Sequence, residues 1–342
     1  MADTDLDEAD ERRPYCFAPP HWQAQAWQTL RTGLLRGRLS HALLISGAPG
    51  VGKGSFADAA TAALLCETPS GEGEACGACR SCVQLGARSH PDLAVLAPEP
   101  DKRWISIEQI RAFSERLHLK SQYGRGRIGL IDPADALLPQ AANALLKTLE
   151  EPAPGNHLFL LSHRPSLLLP TIRSRCQMLN LPLPDEAGAA QWLTGEWEIT
   201  ASALALAGGA PFEARRRHEA GISARYSAWF SDFLKFLRGR VDPVSLANRW
   251  RDEPPQELVG FLGLICCDLL RLRFGADPKR ARTATQATAL GGVLAAVEAG
   301  KLADNLSTLV SAQRLLNSNA DKLLILEDLL IRLADCRKPG AS

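Results

Sequence analysis

No apolar run in this chain approaches the ~20 residues that a membrane-spanning helix needs; the longest, Leu258 to Cys267, is ten residues long before Asp268 interrupts it. A secretion signal is missing too, because the opening stretch MADTDLDEADERR is mostly acidic and has no basic segment followed by an apolar one. Both absences lead to the expectation of a cytoplasmic protein. Excess positive charge is lacking as well: 39 basic against 38 acidic residues give a formal net charge of +1, too little for a protein that holds DNA by its own field. Any nucleic-acid contact is therefore expected to be local or shared with partners. There is no fixed-period repeat and no extended low-complexity segment. A disulfide scaffold is excluded on different grounds. The nine cysteines occur without a secretion signal, and cytosolic reductants keep thiols free, so metal binding better explains any tight cluster.

What is present is ordinary globular material. A hydrophobic fraction of 46% and a charged fraction of 23% supply packed cores, and 342 residues are enough for two or three domains. From about residue 20 to 182, short apolar runs alternate with helical patterns. Ala42–Ile45, Leu93–Ala97, Ile128–Ile131, Leu158–Leu161 and Met178–Leu181 read as buried strands, and the alternation predicts a parallel α/β sheet. After Leu181-Pro182-Leu183-Pro184 the strand patterns stop and the rest reads as helix broken by Gly and Pro clusters. The expected organisation is a flexible tail at 1–19, an α/β domain at 20–182, a small helical domain at 183–222 containing the Gly208-Gly209-Ala210-Pro211 break, and a larger helical domain at 223–342. In the last, Leu315 to Leu333 carries apolar residues at spacings of three and four, which predicts an amphipathic helix.

Directly after the first strand, Gly47-Ala48-Pro49-Gly50-Val51-Gly52-Lys53-Gly54 fits the phosphate-loop pattern G-x-x-x-x-G-K, and a helical pattern follows from Phe56 to Leu65. Gly47, Gly50 and Gly52 let backbone N–H groups converge on phosphate oxygens at a helix N-terminus, and Lys53 adds a point charge. One part is missing. Gly54 stands where a working loop has the Ser or Thr whose hydroxyl binds magnesium, and Ser55 is turned about 100° round the helix from that position. The third candidate strand, Ile128-Gly129-Leu130-Ile131-Asp132, is an apolar run ending in a carboxylate as a Walker B strand does, so Asp132 is a candidate magnesium ligand, although Asp-Pro also starts turns. Pro133 follows it and has no ionisable group, so nothing at that position can polarise an attacking water. Hydrolysis is not expected, while retention of Lys53 leaves ATP binding open.

Cys66, Cys76, Cys79 and Cys82 form a C-x9-C-x2-C-x2-C cluster within seventeen residues. Four thiolates at this spacing suit a closed, structural Zn2+ site that stabilises a module too short for its own core. An iron–sulfur cluster and unligated thiols are the alternatives; the ferredoxin-type run has its last cysteine before proline, whereas Cys82 precedes Val83. Cys16, Cys176, Cys266, Cys267 and Cys336 are scattered and read as buried thiols.

Several segments together resemble bacterial clamp-loader subunits of the AAA+ P-loop class. They are Gly37-Arg38-Leu39-Ser40-His41 leading into the first strand, the cysteine insertion followed by His90-Pro91-Asp92, the run from Ala141 to Pro152 (AANALLKTLEEP), Leu158 to Ser162, and Ser174-Arg175-Cys176. Zinc cysteines, degraded ATPase residues and an intact Ser-Arg-Cys resemble the delta-prime branch of that family more than its tau/gamma motors. The resemblance covers about residues 20–182. It implies a RecA-like AAA+ domain with a zinc-binding insertion at 66–82, a helical lid and a helical collar for oligomerisation. It also implies motor (tau/gamma) and delta subunits, the sliding clamp and primed DNA as partners. For Arg175 it implies a catalytic role in trans, at the γ-phosphate of a neighbouring subunit; the alternative is a surface arginine in a salt bridge, with Arg173 beside it. Pro211 lies near where a motor offers its sensor arginine. Leu145, Leu146 and Leu149 read as core or interface, and the C-terminal helices as packed internally or between subunits. An active P-loop ATPase or nucleotide kinase, and a zinc-dependent nucleic-acid binder, are the competing functions.

Overall fold

The computed structural model describes residues 14–100, 102–194, 199, 201–277, 286–316 and 320–338; the tail expected at 1–19 lies mostly outside them. They form two compact units, one of residues 14–192 with 210–213, the other of 193–209 and 214–338.

The first unit is built on five parallel strands, β1 (Ala42–Ser46), β2 (Leu93–Leu96), β3 (Ile128–Ile131), β4 (His157–Ser162) and β5 (Gln177–Asn180), in the order β2-β3-β4-β1-β5. The five apolar runs of the sequence are these strands. β1 is buried along its whole length, and its side chains alternate between two cores as the strand period of two requires. Leu43 and Ile45 pack with Trp27 and Leu30 of α1 (Ala24–Leu35) and with Phe56, Ala59 and Ala60 of α2 (Lys53–Leu65). Ala42 and Leu44 join Ile110 and Phe113 of a helix on the other face, Ile107–His118, and Leu145 and Leu149 of the helix Pro139–Glu150. Cover on both faces explains why β1, β3 and β4 read as unbroken apolar runs, whereas the edge strand β5 buries only Leu179.

Between α2 and β2 lies the cysteine insertion, with one short helix, α3 (Arg80–Gly86). The two helices of the second face are α4 (Ile107–His118), opened by a Ser106/Gln109 capping box, and α5 (Pro139–Glu150), which has proline in its first turn. Leu145 and Leu149 are thus core, with Leu146 partly buried beside them. The short helix α6 (Pro170–Arg173) leads into Ser174-Arg175-Cys176. Two helices, α7 (Glu186–Thr194) and α8 (Ala201–Leu206), then precede α9 (Pro211–Glu219).

The second unit is helical. Besides α8 and the greater part of α9, its elements are α10 (Ile222–Leu237), α11 (Pro243–Arg249), α12 (Pro255–Arg273), α13 (Ala287–Gly291), α14 (Ala299–Leu315) and α15 (Lys322–Ala334). α10 to α15 share one core in which Tyr226, Trp229 and Phe233 of α10 meet Phe261 of α12, with Phe236 stacked on Phe233. The single amphipathic helix expected from Leu315 to Leu333 is not formed. α14 ends at Leu315, and α15 begins after Asp321, whose carboxylate accepts the backbone N–H groups of Leu323 and Leu324. An N-cap inside the apolar pattern restarts the helix. No helix among the described residues is long and apolar enough to cross a membrane. Of the scattered cysteines, Cys266 and Cys336 are buried, whereas Cys16, Cys176 and Cys267 are only half-buried.

Candidate functional site

The phosphate loop leaves the end of β1 and turns into α2, so its position follows from the sheet. Gly50 and Gly52 have φ of +70° and +97°, backbone that side chains rarely tolerate. Both also lie against another segment of the same unit. A Cβ on Gly50 would stand 2.4–2.8 Å from Glu213, and one on Gly52 would stand 2.7 Å from the Phe212 ring. The Phe212 N–H donates to Gly50 O at 3.1 Å. From the other side, Trp22 Nε1 donates to Val51 O (3.1 Å) and Gln23 Nε2 to Val51 O (2.9 Å) and Gly52 O (3.2 Å). Trp22, Trp192 and Phe212 form an aromatic cluster beside the loop, with ring centroids 4.7–6.2 Å apart.

Lys53 is buried at the first position of α2. Its ammonium donates to Gly47 O and Ala48 O, each at 2.9 Å, and to His163 Nδ1 at 2.6 Å. His163 is an acceptor here, which requires its neutral form. Burial, then the Lys53 charge, pushes its pKa down to about 4, against the opposing pull of Asp135 and Glu213; Arg164 adds to the depression. Asp135 fixes this corner: its carboxylate accepts from the Ser162 hydroxyl (2.6 Å) and from the N–H groups of His163 (2.7 Å) and Arg164 (3.2 Å). Asp132 is at the end of β3, its N–H bonded to Leu96 O. The sequence reading missed His163, Asp135 and Phe212. The His-Arg-Pro after β4 was visible, but nothing local tied it to Lys53, 110 residues away.

A histidine whose pKa falls on folding binds its proton more readily when unfolded. The stability from neutral His163 is therefore complete above about pH 6.5 and is lost as the pH falls toward 4, by up to about 3 kcal/mol. Urea melts of the chain and of His163→Gln between pH 7 and 4.5 should show a steeper pH dependence in the parent.

The four cysteines of the insertion converge. Their sulfurs all lie within 4.8 Å of one another, with Cys66–Cys79 at 3.9 Å and Cys76–Cys82 at 4.0 Å. A tetrahedron with metal–sulfur legs of ~2.3 Å has edges of about 3.8 Å, so the donor set fits a closed four-thiolate metal site. Backbone N–H groups already point at the sulfurs: Cys76 N to Cys66 Sγ, Ala78 N and Cys79 N to Cys76 Sγ, and Cys82 N to Cys79 Sγ. The Thr68 side chain first, then the N–H groups of Ala78 and Cys79, lower the Cys76 pKa to about 6. Burial raises Cys66 and Cys82, as expected of thiols at the base of the cluster before a cation neutralises them.

The module is tied to the sheet by the stretch His90-Pro91-Asp92. His90 Nδ1 accepts from Asp92 N (3.1 Å), so Nε2 carries the proton and donates to Ser81 Oγ (2.9 Å); the Ser81 hydroxyl then donates to Leu65 O (2.8 Å). Asp92 is fully buried and accepts from Ser121 Oγ, Gln122 N and Tyr123 N, with Arg127 at 3.5 Å. Burial alone would raise the Asp92 pKa; these hydrogen bonds and the Arg127 charge outweigh it and hold the carboxyl below its usual range.

Arg175 lies beyond α6 and is 37% exposed. Its Nη1 donates to Thr171 O (3.0 Å) and its Nη2 pairs with Glu150 Oε1 (2.7 Å) at the end of α5. It is remote in sequence from the phosphate loop.

A parallel sheet in the order 2-3-4-1-5, with a phosphate loop between β1 and α2 and a carboxylate at the tip of β3, defines an AAA+-type P-loop domain. Sequence comparison narrows the class. The family described as "DNA polymerase III, delta subunit" matches residues 22–185, and "DNA polymerase III, delta subunit, C terminal" matches residues 224–335. The DNA polymerase III subunit delta' of Pseudomonas aeruginosa is 34% identical over 328 residues, covering 93% of this chain and 98% of the relative. That of Escherichia coli is 38% identical over 186 residues, 54% of this chain and 55% of the relative. The chain belongs to the delta-prime family of DNA polymerase III subunits. Among solved structures, a DNA polymerase III gamma subunit-related protein of Thermotoga maritima aligns at 18% identity with a TM-score of 0.45, covering 90% of this chain and 98% of that one.

Proposed function

We propose that the chain is a non-hydrolysing subunit of the DNA polymerase III clamp loader, assisting ATP-dependent loading of the sliding clamp onto primed DNA. The observation that carries this reading is the Lys53 ammonium, which is engaged by two carbonyls of its own loop and by neutral His163, with the Phe212 ring packed against Gly52. A γ-phosphate at Gly47, Gly50 and Gly52 would have to displace these contacts. Magnesium there would lack a hydroxyl at Gly54, and Pro133 offers no base to the attacking water. The site supports a retained fold whose hydrolytic chemistry has been given up, with Asp132 left as a strand-end carboxylate.

Arg175 is the residue that acts. Its guanidinium has five N–H donors and uses two within the chain, and its exposure suits delivery to the ATP of a neighbouring tau/gamma-type motor, where it stabilises charge as γ-phosphoryl transfer proceeds. Zn2+ held by Cys66, Cys76, Cys79 and Cys82 has a structural part only, since four protein ligands leave no open position. The division into an AAA+ domain at 20–182, a lid at 183–222 and a collar at 223–342, a cytoplasmic location, and motor, delta, clamp and primed DNA as partners belong to the same reading. A clamp-loading assay tests it. With motor and delta subunits, clamp, primed DNA and ATP supplied, adding this chain should raise the yield of loaded clamp at least about tenfold; equal loading with and without it would reject the assignment.

A further inference from the structure

The side chain that holds Arg175 is itself distinctive. Glu150 is the last residue of α5, where the helix dipole disfavours a carboxylate unless a cation answers it, and the cation is Arg175 at 2.7 Å. The second tether is the Thr171 carbonyl in α6, at 3.0 Å from the other terminal nitrogen. Two hydrogen bonds, on two different nitrogens, from acceptors on two different helices, fix both the position and the plane of the guanidinium. A free arginine of this length samples many rotamers and gives up that freedom on docking. Arg175 instead presents its remaining N–H groups from an orientation already set, and pre-ordering of this kind favours the transition state. The pair is half-exposed, so solvent screens much of the carboxylate's charge and the outer edge of the guanidinium stays available to phosphate.

We infer that Glu150 is the positioning residue for Arg175, aligning its guanidinium for the ATP site of the neighbouring subunit; the inference rests on the in-trans reading of Arg175 given above. Glu150 touches neither nucleotide nor reacting atoms and acts only through the arginine. It follows that its removal lowers the turnover number and spares nucleotide affinity, and that it has no effect once Arg175 is gone.

The test is the DNA-dependent ATPase of the complete loader, assembled with the full chain as parent, Glu150→Ala, Glu150→Gln, Arg175→Ala, or the double variant, each checked for stoichiometric assembly. Glu150→Ala should lower kcat about five- to tenfold with KM unchanged. Glu150→Gln, whose carbonyl oxygen still accepts from Nη2, should return to within about twofold of the parent. The double variant should match Arg175→Ala alone. If Glu150→Ala keeps or exceeds the parental kcat while Arg175→Ala is impaired, the inference is wrong and the reading of Arg175 stands. If Arg175→Ala itself is unimpaired, the in-trans reading fails first. If Glu150→Ala does not assemble, Glu150→Asp, one methylene too short to reach Nη2, replaces it with the same expected loss, and a parental kcat in that variant overturns the inference.

Discussion

Cys82→Ser should empty the metal site and unfasten the insertion between α2 and β2. Cys82 is fully buried and is one corner of the four-sulfur cluster, and a serine hydroxyl does not replace a thiolate on zinc at neutral pH. Structural zinc contributes on the order of 10 kcal/mol in small modules that fold around it. The segment of residues 66–82 has few alternatives to that source, since its own buried apolar content is little more than Cys66 and Cys82. The parent should purify with about one zinc per chain, and Cys82→Ser with almost none. The loss should spread to β2, because Ser81, His90 and Asp92 form one chain of hydrogen bonds from the module to the sheet. Proteolysis within residues 67–80 and a lowered Tm report that loosening. Cys267→Ser, outside the cluster, should leave the zinc content unchanged. Iron with a visible chromophore would replace the zinc assignment with an iron–sulfur one.

Arg175→Ala should separate catalysis from stability. The ion pair it removes is half-exposed, and exposed pairs are worth about 0–1 kcal/mol, so the chain should fold and assemble as before. Turnover at the ATP site it serves should nevertheless fall about 100-fold or more, because an arginine supplied to a phosphoryl-transfer site typically contributes about 10³–10⁵ in kcat. Single-turnover ATP hydrolysis by the assembled loader measures this directly. A purely structural arginine gives the opposite pattern, with reduced Tm or assembly and unchanged turnover in whatever complex still forms.

The parts of this architecture written in contiguous residues were legible. All five strands carried apolar runs, most completely β1, β3 and β4, which are covered on both faces, and the loop from Gly47 to Lys53 and the four cysteines stood in fixed local spacing. The cysteine spacing led directly to a convergent site, since a short insertion has few other ways to place its thiols. What the sequence concealed depends on contacts between distant segments. Phe212 sits against Gly52 and His163 against Lys53 only because the fold brings them there. Glu150 and Arg175, 25 residues apart in the chain, are likewise paired only by the fold. The break between α14 and α15 was written locally and passed over: Asn317-Ser318-Asn319-Ala320-Asp321 interrupts the apolar pattern with turn-forming residues and ends on the N-cap of α15, so Leu315 to Leu333 is not one continuous stretch.

The central claim is that a phosphate loop has been kept while its hydrolytic chemistry has gone. ATP turnover by the purified chain alone tests it most directly, with Lys53→Ala as the control. The parent should release phosphate no faster than the variant, both at background. Motor-like turnover by the parent, abolished in Lys53→Ala, would contradict the account.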